Sequence, residues 1–139
     1  MAGFIRFQDI IAWQLSHELK LRVDRYAVRP NFKRQYTFVA QICDAARSAP
    51  PNIAEGHMRG FKHKEFAQFV RVARGSLGEL LNHLLDAYEQ KLITEDELIE
   101  CESLGKRAIM ASTGLIRYLE SIPDPPPPKY KKKPGPQAP

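Results

Sequence analysis

The sequence predicts an all-α chain: an antiparallel up-down-up-down four-helix bundle whose second helix is kinked at a Pro-Pro pair, followed by a disordered Pro/Lys tail. Three observations lead there. Apolar residues recur at three- and four-residue steps through four long stretches, the period of an amphipathic helix. No stretch alternates with period two, so no strand is expected. The linkers are short, which makes consecutive helices antiparallel neighbours. The chain has 139 residues, 43% of them apolar and 27% charged, enough for a single core of ordinary composition.

The first helix is expected from about Gln8 to Val28. Ile11, Leu15, Leu19, Val23 and Tyr26 form its stripe, and Ile10 and Trp13 widen it. Pro30 stops it, because the residue before a proline avoids the α region. Arg29 to Gln35 then reads as a loop. The second helix is expected from about Tyr36 to His57, with Phe38, Val39, Ile42, Cys43, Ala46 and Ile53 inside. Pro50 and Pro51 remove two backbone donors, so the helix must bend or restart. Asn52 and Glu55 have the spacing of a capping box for a restart. Gly56 and Gly60 close it.

The third helix is expected from about Lys62 to Lys91, with Phe66, Phe69, Val70, Ala73, Leu77, Leu80, Leu81, Leu84 and Tyr88 inside. Gly75 and Gly78 lie within it, three residues apart. Each costs up to about 1 kcal/mol against Ala in a helix interior. They are expected to let the backbone of the kinked second helix come close. The fourth helix opens on a capping box, Thr94 and Glu97. Leu98, Cys101, Gly105, Ala108, Ser112, Leu115, Leu119 and Ile122 then repeat in the steps of a bundle seam, broadened by Leu104, Ile109 and Ile116. Pro123 ends it. Residues 1–122 are thus one domain. Residues 123–139 hold eight of the eleven prolines and four lysines and are expected to be a flexible, partly polyproline tail.

The formal net charge is +5. Four tail lysines against Asp124 make +3 of it, leaving +2 on the body, which excludes a strongly basic domain. The body is uneven. Glu79 to Glu102 holds eight acids and one lysine, and Arg59 to Arg74 five bases and one acid. These are either solvated helix faces or oriented contacts with a polyanion or other copies. Cys43 and Cys101 both fall at apolar helical positions, so buried free thiols are expected rather than a disulfide. With no signal-type apolar core and no apolar run near twenty residues, the expected place is the cytoplasm, away from membranes.

Motifs for chemistry are sparse. Arg74-Gly75-Ser76-Leu77-Gly78 lies in an apolar helical pattern, not after a strand, so it is not a phosphate loop. Glu79 and His83 stand four apart, but the paired Glu-x-x-His set of di-metal bundles is missing. Ser48, Ser76, Cys43 and Cys101 lack an evident base and orienter. No catalytic, metal-binding or cofactor-binding residue is expected. Asn52, Glu55, Arg59, Ser76 and Glu79 form a polar set near the proline pair. It is either a ligand pocket or a hydrogen-bonded network satisfying groups that the prolines leave free. In the network reading Glu79 satisfies buried donors, and its loss costs about 1–3 kcal/mol. Arg59, Lys62, Lys64, Arg71 and Arg74, with Phe61 and Phe66 interleaved, are candidate nucleic-acid contacts. Arg71 and Arg74 equally suit acids of a neighbouring copy, such as those from Glu95 to Glu102.

Three blocks carry a family resemblance: Phe7-Gln8-Asp9-Ile10-Ile11-Ala12-Trp13-Gln14, Ala46-Arg47-Ser48-Ala49-Pro50-Pro51-Asn52-Ile53-Ala54-Glu55-Gly56, and Glu65 to Leu80 with its Gly-Ser-Leu-x-Glu-Leu. In order, over about residues 4 to 122, they resemble the bacterial four-helix-bundle family called 23S rRNA intervening-sequence proteins. Ala49 departs from that pattern, and the tail lies outside it. The resemblance implies a homopentameric ring without established enzymatic activity. Some relatives are encoded within ribosomal RNA genes, and a distantly similar accessory protein binds nucleic acid and a reverse transcriptase. Two functions follow as expectations: an oligomer that binds RNA weakly through basic surface, or a protein-interaction scaffold with no nucleic acid.

Overall fold

The structure is a computed structural model that describes residues 6–60 and 62–124. The expected tail lies outside the described residues from 125 onward, as does Phe61. Every regular element is helical, and no strand occurs among the described residues. After a single 3-10 turn, Phe7–Asp9, come α1 (Ile11–Ala27), α2 (Pro30–Lys33), α3 (Tyr36–Ala46), α4 (Ala49–Met58), α5 (His63–Glu89) and α6 (Glu95–Ser121).

The expected first helix starts three residues late, which changes its inner face. Ile10 is the N-cap of α1 and is buried, whereas Ile11 is 61% exposed. One step along a helix turns a side chain by about 100°, so only one of two adjacent isoleucines can face the core. The expected loop after α1 contains α2. Pro30 opens this turn, as proline's fixed φ allows at a first helical position. Phe32 in it is fully buried, its ring centroid 5.7 Å from that of Phe38.

The expected helix from Tyr36 to His57 is two helices. Pro50 and Pro51 cannot donate to the carbonyls of Ala46 and Arg47, which frees the ladder there. The backbone stays in the αR region at Arg47 and Ser48, and α4 restarts at Ala49 with prolines in its first turn. The capping box expected of Asn52 and Glu55 does not form. Ser48 is the N-cap, without a side-chain cap bond. Asn52 instead donates its amide to the Ser48 carbonyl at 2.8 Å, and Glu55 pairs with Arg59 at 3.0 Å. Gly60, at φ +83°, closes α4 in the left-handed region. Gly56 lies inside α4 and is buried.

The close approach expected at Gly75 and Gly78 is elsewhere. A Cβ at either would meet nothing within 4 Å. A Cβ at Gly56 would sit 2.8 Å from Cδ1 of Phe66 and from Cβ of Phe69, and one at Gly105 2.5 Å from Cδ2 of Leu81. These two glycines let α4 and α6 seat against α5.

Helix ends are satisfied by specific partners. Thr94 and Glu97 make the expected capping box of α6. The α5 end turns on Lys91 at φ 61°, with the Leu92 N–H donating to Ala87 and the Leu92 side chain buried. That is a Schellman turn with lysine where glycine is usual. The start of α5 has no cap of its own. The His63 N–H donates to Oδ1 of Asp124 at 2.6 Å, three residues beyond α6.

The core lies between α1, α3, α4, α5 and α6. Leu19, Val23, Ile42, Ile53, Val70, Leu77, Leu80, Leu84 and Cys101 are each at most 1% exposed, and burying one such aliphatic side chain contributes about 1.5–3 kcal/mol. The seam expected of α6 is buried from Leu98 to Leu119. Ile10 and Ala12 lie by Leu115 and Tyr118, while Tyr26 lies by Cys101 and Arg29 by Glu97. Phe38 lies by His83, Ser48 by Ser76 and Gly56 by Phe66. Leu81 meets Gly105, and Arg74 meets Thr113. Both cysteines are free and buried, and burial pushes both thiols above their ordinary value.

Candidate nucleic-acid interface

The basic run from Arg59 to Arg74 is largely occupied within the chain. Arg59 bonds Glu55 and Glu65, each at 3.0 Å, with its guanidinium 5.1 Å from the Phe69 ring centre. Arg71 pairs with Glu120, and Arg74 donates to Oγ1 of Thr113 at 3.3 Å. Both arginines are half-buried against α6, facing their own chain. Lys62 and Lys64 are exposed at the start of α5. Glu97 and Glu100, acids expected to suit a neighbouring copy, are held by Arg29 and Arg22 of the same chain. Arg29 donates to both Glu97 oxygens, and that pairing holds the Glu97 carboxyl down at about 2.

The polar set near the prolines is three separate groups. Ser48 and Ser76 share a 2.6 Å hydroxyl contact that Asn52 joins through Ser48. Glu55 and Arg59 form the ion pair just described. Glu79 is 65% exposed, and its ion-pair contact among the described residues is with Nε2 of His83 at 3.4 Å, a buried nitrogen to which it makes no hydrogen bond, so it does not satisfy buried donors. Its expected cost on removal is corrected to that of a surface residue.

The groove between α1 and α3–α4 holds residues that periodicity assigns to the core or to a loop. On α1, Trp13, His17, Lys20 and Asp24 follow steps of four, three and four, which puts them on one side. Trp13 and His17 stack with centroids 4.5 Å apart, and Phe7 meets Trp13 edge-on at 5.3 Å. Pro50, Pro51, Ala54 and Arg47 form the facing wall of a hollow of about 340 Å³. Lys20 and Arg47 both reach Asp24, at 3.2 and 3.3 Å. Tyr36 lies eleven residues before Arg47, three helical turns along the same side of α3, and is 83% exposed. Lys33 and Arg34, three and two residues before it, are exposed, as is Arg25 on α1, and none of the three has an ion-pair partner among the described residues. Seven bases and two acids stand from Lys20 to Arg47, a net of +5. That count was available in the sequence. The periodicity, however, assigned Trp13 to the core and residues 29–35 to a plain loop.

A second groove, of about 430 Å³, lies between the start of α1 and the end of α6, lined by Ile10, Ile11, Ala12, Ala111, Gly114, Leu115 and Tyr118. Met110 nearby on α6 is 72% exposed. Among the described residues no three His, Cys, Asp or Glu side chains converge as a metal site. No helix there is long and apolar enough to cross a membrane.

The family model described as 23S rRNA-intervening sequence protein matches residues 8–110. No curated protein matches the chain.

Proposed function

The chain belongs to the 23S rRNA-intervening sequence protein family, and from that membership we propose a non-enzymatic helical protein that self-associates and binds nucleic acid, RNA foremost, weakly and without strong sequence preference. The helices form an up-down-up-down four-helix bundle, with α3 and α4 as one member kinked after Ala46. The order of contacts along each helix pair supports this arrangement. The family resemblance supports five copies, and the cytoplasm is the proposed location.

The observation that carries the RNA reading is the set of exposed cations with no ion-pair partner among the described residues, Arg25, Lys33 and Arg34 above all. Cations of this kind exchange counterions for phosphates, so affinity falls steeply with salt. The test is retention on immobilised RNA across a salt series. Elution that moves to lower salt when cations are removed supports the reading. Flow-through at low ionic strength overturns it.

The apolar groove between α1 and α6 favours a second reading, a protein-interaction scaffold with no nucleic acid. Contiguous apolar surface of this kind marks association sites. Native mass spectrometry with and without nuclease separates the two. Copies held together with a nuclease-sensitive mass support the first reading. A stoichiometric second protein that survives nuclease supports the scaffold.

A further inference from the structure

We infer that the groove between α1 and α3–α4 is a track for single-stranded nucleic acid, with bases stacking at Trp13 and at Tyr36 and phosphates held by Lys20, Arg47, Lys33 and Arg34. The inference rests on the RNA reading above and gives it an address other than the basic run from Arg59 to Arg74.

Single strands are bound by cations that follow the backbone and by aromatic faces that accept any base. The groove supplies both. At one end the Trp13–His17 stack, with a 12° interplanar angle, walls a hollow large enough to admit a ring, and Pro50 and Pro51 close the other side. At the other end the Tyr36 ring is 83% exposed, and no ring among the described residues stacks on it. From Trp13 to the end of α1 the track is about 20 Å long. Lys33 and Tyr36 are three residues apart, so their backbones lie within about 10 Å.

Charge decides between this groove and the basic run. Arg59 and Arg71 are committed to carboxylates of their own chain. In the groove Asp24 is shared by two cations, Lys20 and Arg47, which leaves that trio net positive. Asp44 is the other acid between Lys20 and Arg47. A duplex suits the track poorly, because its bases are stacked on one another and offer no free face.

The chain has one tryptophan, so base stacking at Trp13 has its own optical signal. The probes are a mixed-sequence 12-nucleotide RNA, the same RNA as a duplex, and vesicles containing an anionic phospholipid. The single strand should quench Trp13 emission at low salt, and added salt should restore it. The duplex should bind at least about tenfold more weakly than the single strand. Tyr36→Ala should weaken binding about tenfold. Lys33→Gln with Arg34→Gln should lower the salt slope by about 1.4, at about 0.7 for each phosphate on a single strand. All three side chains are exposed, so melting temperatures should stay within about 1–2 °C of the parent. Lys62→Gln with Lys64→Gln should leave the quenching unchanged.

Three outcomes overturn the inference. RNA that is retained without changing Trp13 emission, and whose retention depends on Lys62 and Lys64, leaves the RNA reading standing and removes the groove from it. Vesicles that bind as tightly as the single strand, with Tyr36→Ala without effect, make the groove a general anionic contact. Absence of any RNA retention removes both the reading and the inference.

Discussion

Replacing Gly56 with Ala should destabilise the protein although it improves helix propensity. In an open helix interior the change gains up to about 1 kcal/mol. Here the added Cβ would lie 2.8 Å from Cβ of Phe69 and 2.8 Å from Cδ1 of Phe66, against about 3.5–4.0 Å for comfortable carbon contact. The Phe66 ring can turn. The Phe69 Cβ is bonded directly to the backbone of α5, so relief requires α4 to move away from α5. Overpacking of that kind costs about 1–3 kcal/mol. The net expectation is a loss of about 1 kcal/mol, or about 3–5 °C in melting temperature for a body of this size. Gly75→Ala and Gly78→Ala are the controls, since nothing lies within 4 Å of either added Cβ. Each should gain about 0.5–1 kcal/mol. The assay is thermal and urea unfolding followed by far-ultraviolet circular dichroism at several protein concentrations. A neutral or stabilising Gly56→Ala would refute the argument from close approach. A loss at Gly75 or Gly78 that grows with protein concentration would place another copy against that face of α5.

Other perturbations test separate parts of the structure. Phe32→Ala should cost about 3–4 kcal/mol in urea unfolding, because the ring is fully buried; a surface-sized loss would mean α2 does not plug the core. Glu97 has a carboxyl held at about 2 against an ordinary 4.5, so its contribution is complete above pH 4.5 and is lost as pH falls toward 2. With Glu97 20% and Arg29 39% exposed, solvent screening limits that contribution to about 1–2 kcal/mol, and the melting-temperature gap to Glu97→Gln should narrow from pH 6 to pH 3. Lys91→Gly should raise stability by up to about 1 kcal/mol in the same assay by removing a left-handed side-chain penalty; a loss there would mean the lysine has a role beyond the turn. Glu79→Ala should change stability by no more than about 0.5 kcal/mol, and a larger loss would restore it to a structural network.

The helices were legible where several local signals agreed. In α6 a capping box, an unbroken three-and-four seam and a terminal proline all point to one helix, and its buried face is as expected. Signals that depend on where a helix begins were weaker. Ile10 and Ile11 are equally apolar, and a shift in the start exchanges their surroundings. A proline after a helical stretch signals a stop, yet Pro30 also opens α2 and carries Phe32 inward. Four of the helical glycines look alike in sequence, but only Gly56 and Gly105 face a neighbouring helix closely.

The candidate site was less legible, because its decisive contacts join distant parts of the chain. Glu120 is far from Arg71 in sequence and Thr113 is far from Arg74, yet both contacts occupy arginines that looked available. Conversely, Trp13 and Pro50 belong to separate helical patterns, and only their meeting makes a hollow. Local periodicity identifies which side of a helix is apolar. It does not say whether that side meets another helix fully or leaves a gap at its edge.

Asp124 makes the two ends of the last helical pair interdependent. Its carboxylate holds the His63 amide across 61 positions of sequence, while Oγ1 and Oε1 of neighbouring residues do the same task locally for α6. Trimming the chain at the final turn of α6, or grafting a tag there, is therefore an edit to its middle: the first turn of α5 would fray, and amide exchange at His63 would register a cut made far downstream.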